Sequence, residues 1–240
     1  MTELNLLSKK YCLHLDVFEI SHSELPDRIL MDDLISYGGK MKKLFRLIYT
    51  LTYFVSLLPL KLYDLCHGTE FSGMEHNKDT DGRYSYSPSS LFSFPQIKRY
   101  IRRYLSNGHG HGILDIGCGK GFVLHFFSSF DFDTVSGIEY NDDLCRTARR
   151  NLSCGTKNIT VYHGDATKFL RYADYDTFYL YNPFDQDTLE LCIRRILSTL
   201  KDNPRRLTII YCNPLYKDVL IKHGFRAVKH FYYKTTIYIL

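Results

Sequence analysis

The sequence contains no tryptophan, and its aromatic character rests on 20 Tyr and 16 Phe. Its seven cysteines, Cys12, Cys66, Cys118, Cys145, Cys154, Cys192 and Cys212, form no C-x-x-C pair. That excludes zinc-ribbon and thioredoxin-like chemistry. Met1 to Lys10 lack the apolar stretch of a secretory signal. Together with the unpaired cysteines, this points to a reducing compartment and a cytoplasmic location. A membrane-spanning run is also missing, since a spanning helix needs about 20 apolar residues. The uncharged run 47–60 is shorter than that, carries Thr50, Thr52 and Ser56, and meets Pro59. Blocks of like charge are absent too. The net charge is +5, and the basic pairs Lys98-Arg99, Arg102-Arg103, Arg149-Arg150, Arg194-Arg195 and Arg205-Arg206 are scattered. Solvated helix faces account for most such pairs, and a nucleic-acid surface stays open but is not indicated.

What is present suits one α/β domain with an extension, long enough to bury its own core. Residues 1–66 read as an N-terminal helical extension. Lys40, Lys42, Lys43 and Arg46 precede the uncharged run. That run is expected to form a helix buried against the domain. A peripheral membrane contact through residues 40–60 is the second reading, from the basic front edge. Residues 67–94 are rich in Gly, Ser, Asp and Tyr and read as a long loop, a common place for function. His109 and His111 stand in a glycine-rich break without acidic or Cys neighbours, which favours turn residues over metal ligands.

From residue 95 onward, strand and helix patterns alternate. Helices are expected at 95–105, 121–129, 142–153, 188–201 and 216–223. Strands are expected at 113–116, 134–139, 159–163, 177–181, 207–212, 225–231 and 235–240. Short apolar strands separated by helices call for a parallel sheet covered on both faces. The last two strands leave no room for a helix and read as an antiparallel hairpin at the sheet edge.

The sharpest motif is Asp115-Ile116-Gly117-Cys118-Gly119-Lys120-Gly121. A buried strand ends in three glycines and opens a helix, which allows a tight turn and a close ligand. The spacing is G-x-G-x-G, whereas the dinucleotide fingerprint is G-x-G-x-x-G with a pyrophosphate on the helix N-terminus. A carboxylate at Asp115 repels phosphate and attracts an ammonium group. S-adenosylmethionine carries an α-amino group and a sulfonium and no phosphate. Glu139, 24 residues after Asp115 and closing the second strand beside Tyr140, is placed for the ribose hydroxyls. In His163-Gly164-Asp165-Ala166-Thr167, Asp165 can accept from the adenine amine while the Ala166 backbone meets the ring edge. A helix N-cap is the alternative role for Asp165. The site expected for S-adenosylmethionine is thus Asp115, Gly117, Cys118, Gly119, Gly121, Glu139, Tyr140, Asp165 and Ala166, with Asn182.

In this order the motifs resemble the class I, seven-strand S-adenosylmethionine-dependent methyltransferases. The resemblance covers about residues 88–240. It implies an α/β, Rossmann-like, doubly wound and mostly parallel seven-stranded sheet with an antiparallel final strand, carried by residues 95–240. It also implies methyl transfer to an acceptor held at the end of strand four, where this chain has Asn182-Pro183-Phe184-Asp185. Amino-methylating members carry N/D-P-P-Y/F there, with an amide or acid accepting from the amine and an aromatic ring stacking on the acceptor. The single proline here leaves the acceptor unnamed, a nitrogen or oxygen of a small molecule or protein, with RNA or DNA as the alternative. Asn182 orients the acceptor and Asp185 takes a proton where one must leave. The plainer roles are a turn for Asn182-Pro183 and a helix N-terminal charge for Asp185. Asp79-Thr80-Asp81-Gly82, Tyr86-Ser87-Pro88 and Tyr211-Cys212-Asn213-Pro214 resemble elements of a bacterial group within that family. They imply that residues 67–94 cover the cofactor, with Tyr86 near the transferable methyl.

Overall fold

In the computed structural model, residues 51, 54–73, 88–89, 91–105, 112–153, 159–231 and 235–240 are described. The chain divides into two compact units, Met1–Pro59 and Leu60–Leu240. Of the first, residues 51 and 54–59 are described; Leu51, Phe54, Val55 and Leu58 are exposed, and Ser56 and Leu57 are buried. The rest of the expected N-terminal extension, up to the division, lies outside the described residues. Among the described residues, no helix is long and apolar enough to cross a membrane.

The second unit is built on a seven-stranded sheet. Its strands are β1 (Gly112–Ile116), β2 (Thr134–Glu139), β3 (Ile159–His163), β4 (Thr177–Tyr181), β5 (Thr208–Cys212), β6 (Arg226–Phe231) and β7 (Thr235–Ile239). The helices are α1 (Leu58–His67), α2 (Phe94–Tyr104), α3 (Phe122–Phe127), α4 (Asp142–Leu152), α5 (Gln186–Ser198) and α6 (Lys217–Lys222). The sheet order is β3-β2-β1-β4-β5-β7-β6. All neighbours pair in parallel except β7, which is antiparallel to both β5 and β6. The hairpin expected at the edge is there, with one addition. Its second strand inserts against β5, and the first, β6, forms the rim.

The chain winds outward from β1 to β3 and then returns to lay β4 on the other side of β1. This reversal opens a crevice at the carboxyl ends of β1 and β4, the usual ligand position in doubly wound sheets. Side-chain alternation divides the core between the two faces. Leu114, Ile116, Phe178, Leu180, Ile209 and Tyr211 pack with Leu189, Ile193 and Ile196 of α5 and Val219 and Leu220 of α6. On the opposite face Tyr179 meets Phe127 of α3 at 5.6 Å between ring centres, and Phe94 of α2 meets Phe126 at 4.5 Å. β1 and β5 are buried at every position, so neither alternates between polar and apolar residues, and the one acid within them is the buried Asp115.

Helix starts follow their caps. The Asn141 side chain accepts from Leu144 N at 3.1 Å and starts α4, with Asp142 and Asp143 in the first turn. Asp185 does the same for α5 through Thr188 N at 2.9 Å, so α5 begins two residues earlier than its apolar period suggests. After α1, the Asp64 carboxylate accepts from Phe71 N at 2.9 Å and Ser72 N at 2.8 Å. This folds Phe71 onto Phe122 and His125 of α3. The loop expected at 67–94 therefore begins as a braced segment on the sheet's helical layer.

Candidate functional site

The glycine loop leaves β1 and folds back over the tip of β2. Gly117 N and Cys118 N both donate to Ile138 O, at 2.8 and 3.2 Å. Gly117, Gly119 and Gly121 all have positive φ, at 81°, 53° and 85°. At Gly117 a side chain is excluded twice, by its left-handed backbone and by Pro183, whose Cβ lies 2.8 Å from where a Cβ would be. The loop after β1 thus touches the tip of β4 directly. A second glycine, Gly137 within β2, carries the loop's other side: a Cβ there would lie 2.6 Å from both Cβ and Sγ of Cys118. Sequence motifs do not mark Gly137. Its signal is a lone glycine inside a strand, which indicates close backbone approach.

Two carboxylates face this loop. Asp115 is 2% exposed. Burial, and then the neighbouring Glu139, hold its carboxyl well above the usual carboxylate range. Glu139 takes Gly119 N on Oε2 and Asn141 N on Oε1, both at 2.9 Å. Its pKa is also raised, because burial outweighs those two donors. Each oxygen keeps acceptor capacity beyond the one bond it makes. Two adjacent, poorly solvated carboxylates favour a cation between the loop and the strand ends. Cys118 is no nucleophile here, since burial drives its thiol well above its ordinary value. Cys145, pushed up to about 12, donates to Glu139 O at 3.3 Å.

The third acid follows the neighbouring strand, β3. Asp165 Oδ1 accepts from Thr167 N at 2.9 Å and Thr167 Oγ1 at 2.8 Å, fixing the short 3-10 turn Ala166–Lys168. Gly164 N donates to Glu139 O at 2.9 Å and ties this turn to the end of β2. Tyr172 donates to Ala166 O, and Arg195 donates to Thr167 O and Phe169 O, each at 2.9 Å. Tyr140 is exposed, and its carbonyl lies 3.0 Å from His163 Nε2.

At the tip of β4, Asn182 is buried and has φ 43°, strained for a non-glycine residue. Its Oδ1 accepts from the Tyr211 hydroxyl at 3.1 Å. Asn213, after β5, repeats the geometry at φ 50°, and it too precedes a proline. Tyr181 pairs with Cys212, so the two Asn-Pro corners are neighbours on the carboxyl edge. Phe184 is 7% exposed and belongs to the core with Leu180 and Leu189, because the chain turns inward after Pro183. Asp185 is engaged in the α5 cap. Tyr86, His109 and His111 lie outside the described residues. The Y-x-P element ends at Pro88, and the next residue, Ser89, is buried and accepts from the Tyr179 hydroxyl at 3.1 Å. Tyr179 stands opposite Asp115 in the β1–β4 register. No motif marks Asn151 either: it accepts from Glu70 N and donates to Lys120 O, both at 3.0 Å, joining the segment after α1 to the glycine loop.

Residues 113–203 match a family described as a methyltransferase domain. A curated relative from Chlamydia muridarum (strain MoPn / Nigg), described as an uncharacterized RNA methyltransferase, is 22% identical over 173 residues. That match covers 67% of this chain and 43% of the relative, so the chain spans less than half of the relative's length. Among solved structures, a ribosomal protein L11 methylase from Lactobacillus delbrueckii subsp. bulgaricus is 15% identical with a TM-score of 0.45, covering 59% of this chain and 74% of that one. An amino pentose methyltransferase from Micromonospora echinaspora is 17% identical with a TM-score of 0.40, covering 50% and 48%. Residues 113–203 are thus similar to a methyltransferase domain, and they run from β1 to just past α5 of the seven-stranded sheet.

Proposed function

We propose that the chain moves the methyl group of S-adenosylmethionine to a nitrogen or oxygen acceptor held at the carboxyl ends of β4 and β5. One observation carries this reading: the buried Asp115, close to Glu139, beneath a glycine loop that Pro183 brings against the tip of β4. The donor set fits the cofactor. Asp115 would take the ammonium, Glu139 the ribose hydroxyls, and Asp165 with the Ala166 backbone the adenine edge. When bound, S-adenosylmethionine supplies a methyl already activated by its sulfonium charge.

The protein's own task is then alignment, which carries most of the barrier reduction in such a displacement. The contact between Gly117 and Pro183 fixes the distance between the two binding halves. Asn182, its amide oriented by Tyr211, would hold the acceptor atom on the far side of the methyl. A proton lost from the acceptor passes to solvent or to a neighbouring carboxylate. RNA is the second reading for the acceptor, favoured by the Chlamydia relative's description.

Calorimetric titration with S-adenosylmethionine and with NADH tests the cofactor. Labelled methyl transfer into a lysate sorted into protein, nucleic acid and small molecules tests the acceptor. Tight binding of NADH alone would overturn the reading.

A further inference from the structure

Charge along this chain is strongly uneven. Residues 82–114 hold five Lys or Arg and no Asp or Glu, and residues 203–240 hold seven against a single acid, Asp218. Those two stretches together carry +11 while the whole chain carries +5, so the remainder of the chain is net acidic.

The fold brings the two stretches together. Tyr100 of α2 meets Phe231 of β6 edge-on, at 6.3 Å between ring centres. Burial raises the Tyr100 hydroxyl, and the nearby Arg206 pulls it back. On this flank Arg99, Arg102 and Arg103 of α2, Arg206 before β5, and Arg226 and Lys229 on the rim strand are all exposed. Members of three of the basic pairs that look scattered along the sequence, Lys98-Arg99, Arg102-Arg103 and Arg205-Arg206, thus fall on this side.

Their partners distinguish them from the other arginines. Arg146, Arg150, Arg171 and Arg194 form ion pairs with Asp142, Glu70, Asp174 and Glu190 respectively. Arg149, Arg195 and Arg205 donate to backbone carbonyls. Among the described residues, Arg99, Arg102, Arg103, Arg206, Arg226 and Lys229 make no ion pair. Arg103 instead lies over the exposed Tyr104 ring, 5.6 Å from its centre. A lysine on a rim strand guards against edge pairing, which explains Lys229 alone. It does not explain five arginines without a carboxylate on a helix, a loop and the same strand.

We infer that the α2–β6 flank is a binding surface for single-stranded RNA. Arginine forks match phosphate geometry, and an exposed tyrosine beside an arginine offers a stacking place for an unpaired base. A lipid surface would require an apolar insertion face, and Val228 is the one large aliphatic side chain exposed on β6. The rim also leads to the reaction site. Phe231, Thr235, Cys212 and Tyr181 form one row across the carboxyl edge. Three strand spacings of about 4.8 Å separate β6 from β4, about 15 Å in all. An RNA on the flank could thus present a nearby nucleotide beside Asn182, a consequence that rests on the methyl-transfer reading, whereas binding itself does not.

The test is fluorescence anisotropy of the full chain with a labelled single-stranded RNA of about 20 nucleotides, across a salt series. The expected result is binding at low salt that weakens steeply as salt rises. The triple variant Arg102→Ala, Arg103→Ala, Lys229→Ala should bind at least ~10-fold more weakly, with a salt slope shallower by about 2. A control lacking Arg146, Arg171 and Arg194, each replaced by Ala, should stay within about threefold of the parent, because those charges are already neutralised. Absence of RNA binding at low salt, an equal loss in the control, or tighter binding to duplex DNA or anionic vesicles each overturns the proposal. S-adenosylmethionine affinity, read by calorimetry on the same proteins, should not change in either variant. Cofactor binding without RNA binding sinks this proposal alone, and RNA binding without cofactor binding sinks the methyl-transfer reading alone.

Discussion

The carboxyl edge of the sheet has two unlike halves. Over β1, β2 and β3 the strand ends carry acids, and the loop between them is held by backbone groups. Gly119 N and Asn141 N bond Glu139, and Gly117 N and Cys118 N bond Ile138 O. Over β4 and β5 the strand ends carry neutral amides, Asn182 and Asn213, each with a left-handed backbone and a proline after it. Charge is costly to bury and is kept only where an opposite charge arrives. An amide both donates and accepts, so it commits to no particular charge. On the proposed function, one half suits a fixed cationic ligand, and the other the orientation of a second molecule.

The largest expected effect comes from taking the charge out of the first half. Asp115→Asn should weaken S-adenosylmethionine binding by about 100-fold, the scale of a lost charge-assisted hydrogen bond of about 2–3 kcal/mol. The same change should raise the melting temperature of the ligand-free protein, because the carboxyl is held above its ordinary 3.8 in the fold. The sign comes from linkage: a carboxyl that binds its proton more tightly folded than unfolded adds stability as pH falls toward 3.8 and removes it as pH rises. Cofactor affinity should run the other way, falling as the carboxyl protonates. Calorimetry and melting curves read both. An Asn variant that binds normally would erase the contrast between the halves.

Next in size is a steric change in the same half. Gly137→Ala would force a Cβ to within 2.6 Å of Cys118 and push the loop off β2. The expected loss is about 1–3 kcal/mol of stability with weakened cofactor binding. Gly164→Ala, where nothing lies within 4 Å, is the matched control and should be close to neutral. Equal melting temperatures for the two variants would mean that the loop does not rest on Gly137.

What the sequence reveals differs between the halves for the same physical reason. Asp115, the three glycines, Glu139 and Asp165 sit next to strand ends that a short window identifies, and each pattern is local. Expected strand limits fall within a residue of those seen, because turn residues bound the strands and most of them, the exposed β6 apart, are compact and largely apolar. The second half depends on contacts between distant residues. Tyr211 reaches Asn182 across 29 positions, and Tyr179 reaches Ser89 across 90. No window shows these. Phe184 follows Asn-Pro and packs in the core, a placement that the local motif does not reveal. The place of β7 between β5 and β6 is likewise a pairing choice that a hairpin pattern leaves open.

A milder change tests the second half. Tyr211→Phe removes the donor to Asn182 Oδ1 and leaves a buried amide oxygen short of a partner. The expected cost is about 1–2 kcal/mol, read as a roughly 10-fold fall in methyl transfer at saturating cofactor. Cofactor affinity should stay within about twofold of the parent. Calorimetry together with labelled transfer separates the two. Equal losses in both would make Asn182 part of the cofactor site and blur the division.

The smallest effect lies just behind that half. Glu190 on α5 meets His223 at 2.9 Å, Arg194 at 2.8 Å and Lys222 at 3.3 Å. These bonds, His223 first, pull its carboxyl from 4.5 down to about 2. Since α5 comes after the Asn182 corner and α6 after the Asn213 corner, this cluster ties together the elements behind both. A carboxyl lowered in the fold adds stability above its ordinary value and loses it as pH falls through the folded one. Glu190→Gln should therefore lower the melting temperature slightly at neutral pH, and the gap from the parent should close between pH 4.5 and about 2. Exposure of the partners keeps the effect small. Cofactor affinity should not move, because the cluster braces only the helices behind β4 and β5. If it falls along with the melting temperature, the strain in the two Asn-Pro corners is shared with the glycine loop through Pro183, and the halves act as one unit.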